Sequence, residues 1–214
     1  MRGLMWFIIL TIAASSSVTA GGGESIKLPA PQTSGGAPFM EVLKARHSAR
    51  EFSASPLPMQ VLSDLLWAAD GVNRPQSGHR TAPSAKDMRE IRVYVATADG
   101  AYRFDPDAQA LHRVLEWDVR KLTGTQDFVA QAPLNLVYVA DHDRMDGSEE
   151  NKRFYAAADT GFIAQNVYLF CASAGLATVV RGSIDREALA AALKLGPNQQ
   201  IILAQTVGYP KKGE

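Results

Sequence analysis

The chain has 214 residues, and its 22 Lys and Arg are balanced by 22 Asp and Glu, so the formal net charge is zero. That balance excludes the basic footprint of a nucleic-acid binder and the one-sided charge of an electrostatic tail. A lone cysteine, Cys171, excludes an intramolecular disulfide, and the four histidines are too scattered to suggest a metal site.

Arg2 precedes an apolar run from Leu4 to Ala14, and small or hydroxyl residues then lead through Val18 and Ala20 into Gly21, Gly22 and Gly23. This order predicts residues 1–20 as a signal peptide cleaved after Ala20, with a periplasmic or secreted product. An uncleaved anchor over Leu4 to Ala20 is the other reading of the same residues. Cleavage would leave roughly 190 residues, enough for one domain with a real core and no stable membrane insertion. Glu24 to Pro38 is rich in Pro, Gly, Ser and Thr, so residues 21–38 read as a flexible or extended arm and 39–214 as the domain.

Phe39 to Leu43 starts a short helix that stops at the polar knot Arg46-His47-Ser48-Ala49-Arg50. Pro58 opens a second helix with Val61, Leu62, Leu65, Leu66 and Ala69 on one face and Gly71 at its end. Asn73 to Ser84 carries turn residues throughout. Ile91 to Ala96 and Tyr102 to Phe104 read as a hairpin about Asp99-Gly100. Asp107 to Leu122 shows helical spacing at Leu111, Val114, Leu115 and Val119, and Leu134 to Ala140 is the strongest strand in the chain. Lys152 to Ala174 has no polar face, which predicts a buried core helix closed by Gly175. Gln165 and Asn166 and the glycine stop argue against a membrane span there. A strand at Ala177 to Val180, a helix at Asp185 to Leu193 capped by Asp185, and a strand at Gln200 to Val207 complete the chain. Strands interleaved with helices predict an α+β domain, a central sheet flanked by helices.

The sequence holds no Gly-x-Ser-x-Gly elbow, no phosphate-binding Walker loop, no Gly-x-Gly-x-x-Gly and no paired carboxylates near a histidine. What remains is the cluster of Arg46, His47, Ser48 and Arg50, whose guanidiniums and hydroxyl can grip a phosphate. A solvated surface run is the bland alternative. Asp159 stands out as a carboxylate in an apolar helix, which needs a partner, and Arg153 or Arg74 could supply one. Tyr168, Phe170 and Trp67 read as packing residues.

Arg46-His47-Ser48-Ala49-Arg50-Glu51-Phe52 resembles the opening motif of the nitroreductase family of flavin enzymes. Further matches come in the family's order: Leu66 to Arg74, Arg80 to Ala85, Gln126 to Val129 with Ala132-Pro133, Asp159 to Val180, and Val207 to Pro210. The resemblance spans Phe39 to Pro210 and is nearest to a short branch that includes thiazoline and oxazoline dehydrogenases. It implies a nitroreductase-like FMN-binding fold, a homodimer formed through long helices, and one FMN at each subunit boundary. By the same resemblance Arg46 and Ser48 would hold the flavin phosphate and ribityl chain, and Arg50 would sit near the pyrimidine edge. His47 would be a local hydrogen-bond partner, and Gln126 would meet the ring edge. Pro83, Ser84 and Ala85 would reach the ring from the other subunit, while Val180, Arg181 and Gly182 would line its far side by backbone contacts.

Asp87 and Arg181 depart from the family pattern, where Asn and an acidic residue are common, and a positive Arg181 would alter which substrates are welcome. Lys211 and Lys212 are the remaining candidates for a C-terminal phosphate contact. The expected function is an FMN-dependent oxidoreductase that moves hydride or electron pairs between a donor and a nitro, quinone or related small-molecule acceptor. A flavin-less interaction module on the same fold is the alternative.

Overall fold

The computed structural model describes residues 24–211; the expected signal peptide, the glycines after it and Lys212 lie outside the described residues. The helices are α1 (Phe39–Ala45), α2 (Met59–Asp70), α3 (Phe128–Gln131), α4 (Glu149–Ala174) and α5 (Arg186–Ala192). The strands are β1 (Ser25–Lys27), β2 (Val72–Arg74), β3 (His79–Arg80), β4 (Ile91–Thr97), β5 (Gly100–Asp105), β6 (Ala110–Leu115), β7 (Leu134–Asp141), β8 (Ala177–Arg181) and β9 (Gln199–Gly208). Seven strands form an antiparallel sheet in the order β1-β6-β5-β4-β7-β9-β8, and β2 and β3 make a small separate ribbon.

Both faces of this sheet are covered, which explains why Leu136 to Ala140 runs without polar alternation. Leu136 and Tyr138 of β7, with Val93 and Val95 of β4, face α2 and α4 and pack with Leu62, Leu66 and Val167. Val137 and Val139, with Tyr94 and Ala96, face the other way and meet Leu189 and Leu193 at α5. Gln205 of β9 ties the layers together, accepting from the Tyr138 hydroxyl at 2.6 Å and donating to Ala164 O at 3.3 Å.

The hairpin expected at Asp99-Gly100 is present, with Thr97 opposite Gly100. Gly100 has φ 142° and a Cβ there would come within 2.1 Å of Leu115 O, so the turn tolerates no side chain.

The helix expected over Asp107 to Leu122 is instead strand β6 followed by a short 3-10 turn at Arg120–Thr123. Asp105 Oδ1 accepts the amides of Asp107 and Ala108, which folds the chain back on β5 before a helix can start. β6 then gives its backbone to β5 on one side and β1 on the other. That second partner comes from the expected flexible arm, whose extended part is fastened rather than free. Leu28 is buried, Ser63 donates to Pro29 O at 2.6 Å, and Gln60 donates to Ala30 O at 2.9 Å.

α4 corrects a second expectation, burial on every side. Ala156, Asp159, Ile163, Ala164, Val167 and Cys171 form its buried stripe. Phe154 and Phe162 are 68% and 48% exposed on the remaining surface. The uniform apolarity therefore serves two faces, only one of which the single chain covers. Ser148 caps the helix by accepting from Asn151 N, and Gly175 at φ 67° ends it as expected. No helix among the described residues is long and apolar enough to cross a membrane.

Candidate functional site

The last turn of α1 ends at Arg46, and the chain leaves it extended along the open edge of β8, where Ala49 N donates to Thr178 O at 3.0 Å. Tyr168 of α4 is the centre of the cluster at this edge. Val180 N donates to the Tyr168 hydroxyl at 3.0 Å, and Ser48 Oγ lies 2.7 Å from the same hydroxyl. Either hydroxyl can donate in the Ser48–Tyr168 contact, so Ser48 is able to donate to or accept from a ligand beside it. The Arg46 guanidinium sits 5.2 Å from the Tyr168 ring centroid, a cation–π contact that fixes it beside Ser48.

Arg50 is exposed and makes no hydrogen bond or ion pair among the described residues. The C-terminal stretch lies alongside it: Phe52 bridges Pro210, and Lys211 N donates to Glu51 O at 3.4 Å. His47 turns to its own helix end, with Nδ1 2.8 Å from Ala45 O.

Gln126 stands in the loop before α3. Thr125 N donates to Ser183 O at 3.1 Å and the two hydroxyls are 2.8 Å apart, which fastens this loop next to Gly182. Gln126 Oε1 is buried without a partner, an acceptor prepared for something else.

Arg181 corrects the expectation of a cation that meets substrates, since its side chain is buried. Nη1 donates to Thr123 O at 2.7 Å, Nη2 to Asn135 Oδ1 at 2.9 Å and Nε to Thr206 Oγ1 at 3.1 Å. Burial pulls this guanidinium down to about 10, still charged at neutral pH. It belongs to the wall behind the site.

Pro83, Ser84 and Ala85 are not brought to this cluster. They lie toward the other end of α4, where Asp159 Oδ2 accepts Ala85 N at 2.8 Å. Asp159 and Tyr168 are nine positions apart, a helical rise of about 13 Å. The partner of Asp159 is thus a backbone amide, in place of Arg153 or Arg74. A polar cavity of about 250 Å³ opens beside this loop, walled by Asp70, Arg80, Ser84, Glu90 and Asp159 among others. Asp70 pairs with Arg80, both nearly sealed from solvent, and burial pushes the Asp70 carboxyl up to about 7 against the pull of that arginine.

Tyr168 is buried, as its reading as a packing residue expects, and its hydroxyl in addition meets Val180 N and Ser48. A signal for its role is present in the sequence: a tyrosine inside an apolar helix must find a partner for its hydroxyl. The described residues hold no group of three or more potential metal-ligating His, Cys, Asp or Glu side chains. Cys171 is fully buried, and burial pushes its thiol well up, which keeps it unreactive.

Fold and site together define an α+β domain with Arg46, Ser48 and Arg50 grouped beside a strand edge, an arrangement able to bind an anionic group. The chain matches the model of the nitroreductase family over residues 43–209 and belongs to that family, whose members are oxidoreductases. Two relatives carry the name "putative nitroreductase". One, from Methanocaldococcus jannaschii, is 33% identical over 166 residues, covering 72% of this chain and 83% of its own. The other, from Ralstonia eutropha JMP134, is a crystal structure 46% identical with a TM-score of 0.84, covering 88% of this chain and 90% of its own. The fold alone is shared with a chain of the Escherichia coli microcin synthetase complex, at 19% identity and a TM-score of 0.70 over 97% of this chain and 76% of that one.

Proposed function

We propose that the protein is an FMN-dependent oxidoreductase that works as a homodimer and passes hydride or electron pairs between a donor and a nitro, quinone or related organic acceptor. The observation that carries this reading is the convergence of Ser48 and Val180 on the Tyr168 hydroxyl and of Arg46 on the Tyr168 ring, with Arg50 exposed nearby. These residues fit FMN. Arg46 and the Ser48 hydroxyl suit its phosphate and ribityl oxygens. The unpartnered Gln126 Oε1 offers an acceptor to a ring N–H. Arg50 would supply the fixed cation that a negatively charged reduced ring requires. FMN brings the redox chemistry when bound; the chain binds it, orients it and shields it from water.

Two features support the dimer. α1 and α4 leave Phe39, Met40, Leu43, Phe154 and Phe162 exposed, which is unusual for a surface meant to stay in water. Pro83 to Ala85 lie away from the Tyr168 cluster of their own chain, which fits a role in a second subunit's site.

The direct test is flavin content of the purified protein. One FMN per chain is expected, and Arg50→Ala should weaken its binding by roughly one to two decades, the loss of a charge-assisted hydrogen bond worth about 1.5–3 kcal/mol. A colourless protein that refuses added FMN would instead favour the interaction-module reading. Phe162→Glu should convert dimer to monomer in light scattering. Export would place the enzyme where nicotinamide nucleotides are scarce, so its electrons would come from an organic substrate or from a membrane or protein partner. Rapid bleaching of the flavin by micromolar NADH or NADPH in stopped flow would overturn that choice of donor.

A further inference from the structure

Asp159, the buried carboxylate of α4, has no part in the site around Tyr168. It is 2% exposed and accepts a hydrogen bond from the amide of Ala85, 2.8 Å away. Glu90, which leads into β4, is 0% exposed; its Oε2 accepts from Ser84 Oγ at 3.2 Å and its Oε1 has no partner. Two acidic groups from distant elements therefore close on two consecutive residues of one loop.

That loop needs holding. Lys86, Asp87 and Arg89 have φ of 52°, 56° and 52°, a left-handed conformation that side-chain-bearing residues seldom adopt. Within the loop Ser84 Oγ accepts Arg89 N at 2.8 Å, so the hydroxyl that meets Glu90 also fixes the far end of the strained stretch.

The charges facing the cavity are already committed. Arg80 pairs with Asp70, Arg89 grips Asp87 with two hydrogen bonds of 2.7 and 2.6 Å, and Arg74 donates to Arg80 O. His79 lies 3.7 Å from Asp87. None of these cations pairs with Glu90 or Asp159 among the described residues. Burial, with the Asp159 charge next to it, pushes Glu90 above the usual carboxylate range.

We propose that Asp159 and Glu90 form a latch that fixes Ala85 and Ser84 in place while Glu90 keeps its proton, and that ionisation of Glu90 opens the loop. Both are positioning residues. Their effect on cofactor binding rests on the dimeric flavin-site reading above; the latch itself does not.

The test is amide hydrogen exchange, monitored by NMR on the flavin-free full chain. Asp159→Ala should accelerate exchange at Ala85 by about ten- to a hundredfold, the loss of one charge-assisted hydrogen bond, with Val95 in the sheet unchanged. Asp159→Asn keeps an acceptor and should restore most of the protection. The wild type should lose protection at Ala85 and Arg89 as pH rises, beyond the intrinsic increase shown by Val95. Glu90→Gln, which keeps an acceptor for Ser84 and cannot ionise, should abolish that extra loss. Should Asp159→Ala not fold, Ser84→Ala gives the same reading, with faster exchange expected at Arg89. Unchanged exchange at Ala85 in Asp159→Ala, or at Arg89 in Ser84→Ala, overturns the latch, and pH dependence that survives in Glu90→Gln overturns the proton. In the loaded protein Asp159→Ala should raise the FMN dissociation constant about tenfold and Asp159→Asn should not. A wild type that binds no FMN would sink the flavin reading and leave the exchange results to judge the latch.

Discussion

Two of the buried polar clusters among the described residues are built on opposite plans. Behind β8, Arg181 is a buried cation held by neutral oxygens of Thr123, Asn135 and Thr206, and each of its three nitrogens has an acceptor. Beside the Pro83–Ala85 loop, charge is set against charge, Arg80 with Asp70 and Glu90 near Asp159, yet Arg80 Nε and Glu90 Oε1 are left without partners. Saturated hydrogen bonding gives a wall that does not change with conditions. Paired charge with loose ends gives a region that responds to protons and to whatever enters the cavity.

The largest effect expected from this contrast is Asp70→Ala. It strands the Arg80 guanidinium, 7% exposed, without its counter-charge and should cost about 3–5 kcal/mol in chemical denaturation. Next comes pH. The Asp70 carboxyl is raised from 3.8 to about 7 in the folded chain, so the folded state binds the proton more tightly. Its contribution is full below about pH 4 and is lost as pH climbs through 7, by up to about 4 kcal/mol. The difference between wild type and Asp70→Asn across that window isolates this contribution; a flat difference would remove the proton-sensitive half of the contrast. Arg181→Met should cost about 2–3 kcal/mol, because it orphans neutral acceptors only, with no added slope between pH 4 and 7. A penalty above that of Asp70→Ala would break the comparison. The smallest effect is Tyr168→Phe, about 1 kcal/mol for the hydrogen bonds that Val180 and Ser48 would forfeit, measured by thermal unfolding.

Much of the architecture is legible along the chain, since the strands of the hairpin, β7, the capped helices and Gly175 all rest on local chemistry. β6 is not. Its helical spacing is real, but the choice between helix and strand is made by the Asx turn at Asp105 and by a strand arriving from Ser25–Lys27, more than eighty residues away. The half of the candidate site proposed to grip an anion can be read because Arg46, Ser48 and Arg50 sit together in sequence. Tyr168 and Asp159 can be seen as unusual, but their partners, Val180 N and Ala85 N, are backbone atoms that sequence patterns do not display. Arg181 shows its charge and hides its direction, which the β8 pleat decides.

Tyr168 has a consequence for solubility as well. β8 is the last strand of the sheet, and an uncovered last strand is a template on which another chain can add its own. Here the outward amide of Val180 is occupied by a phenol and the outward carbonyl of Thr178 by Ala49 N, so two rungs of that ladder are blocked inside the same molecule. The residue at the centre of the candidate site therefore also guards the sheet against edge-to-edge growth, and a chain without it would be expected to aggregate before it lost its fold.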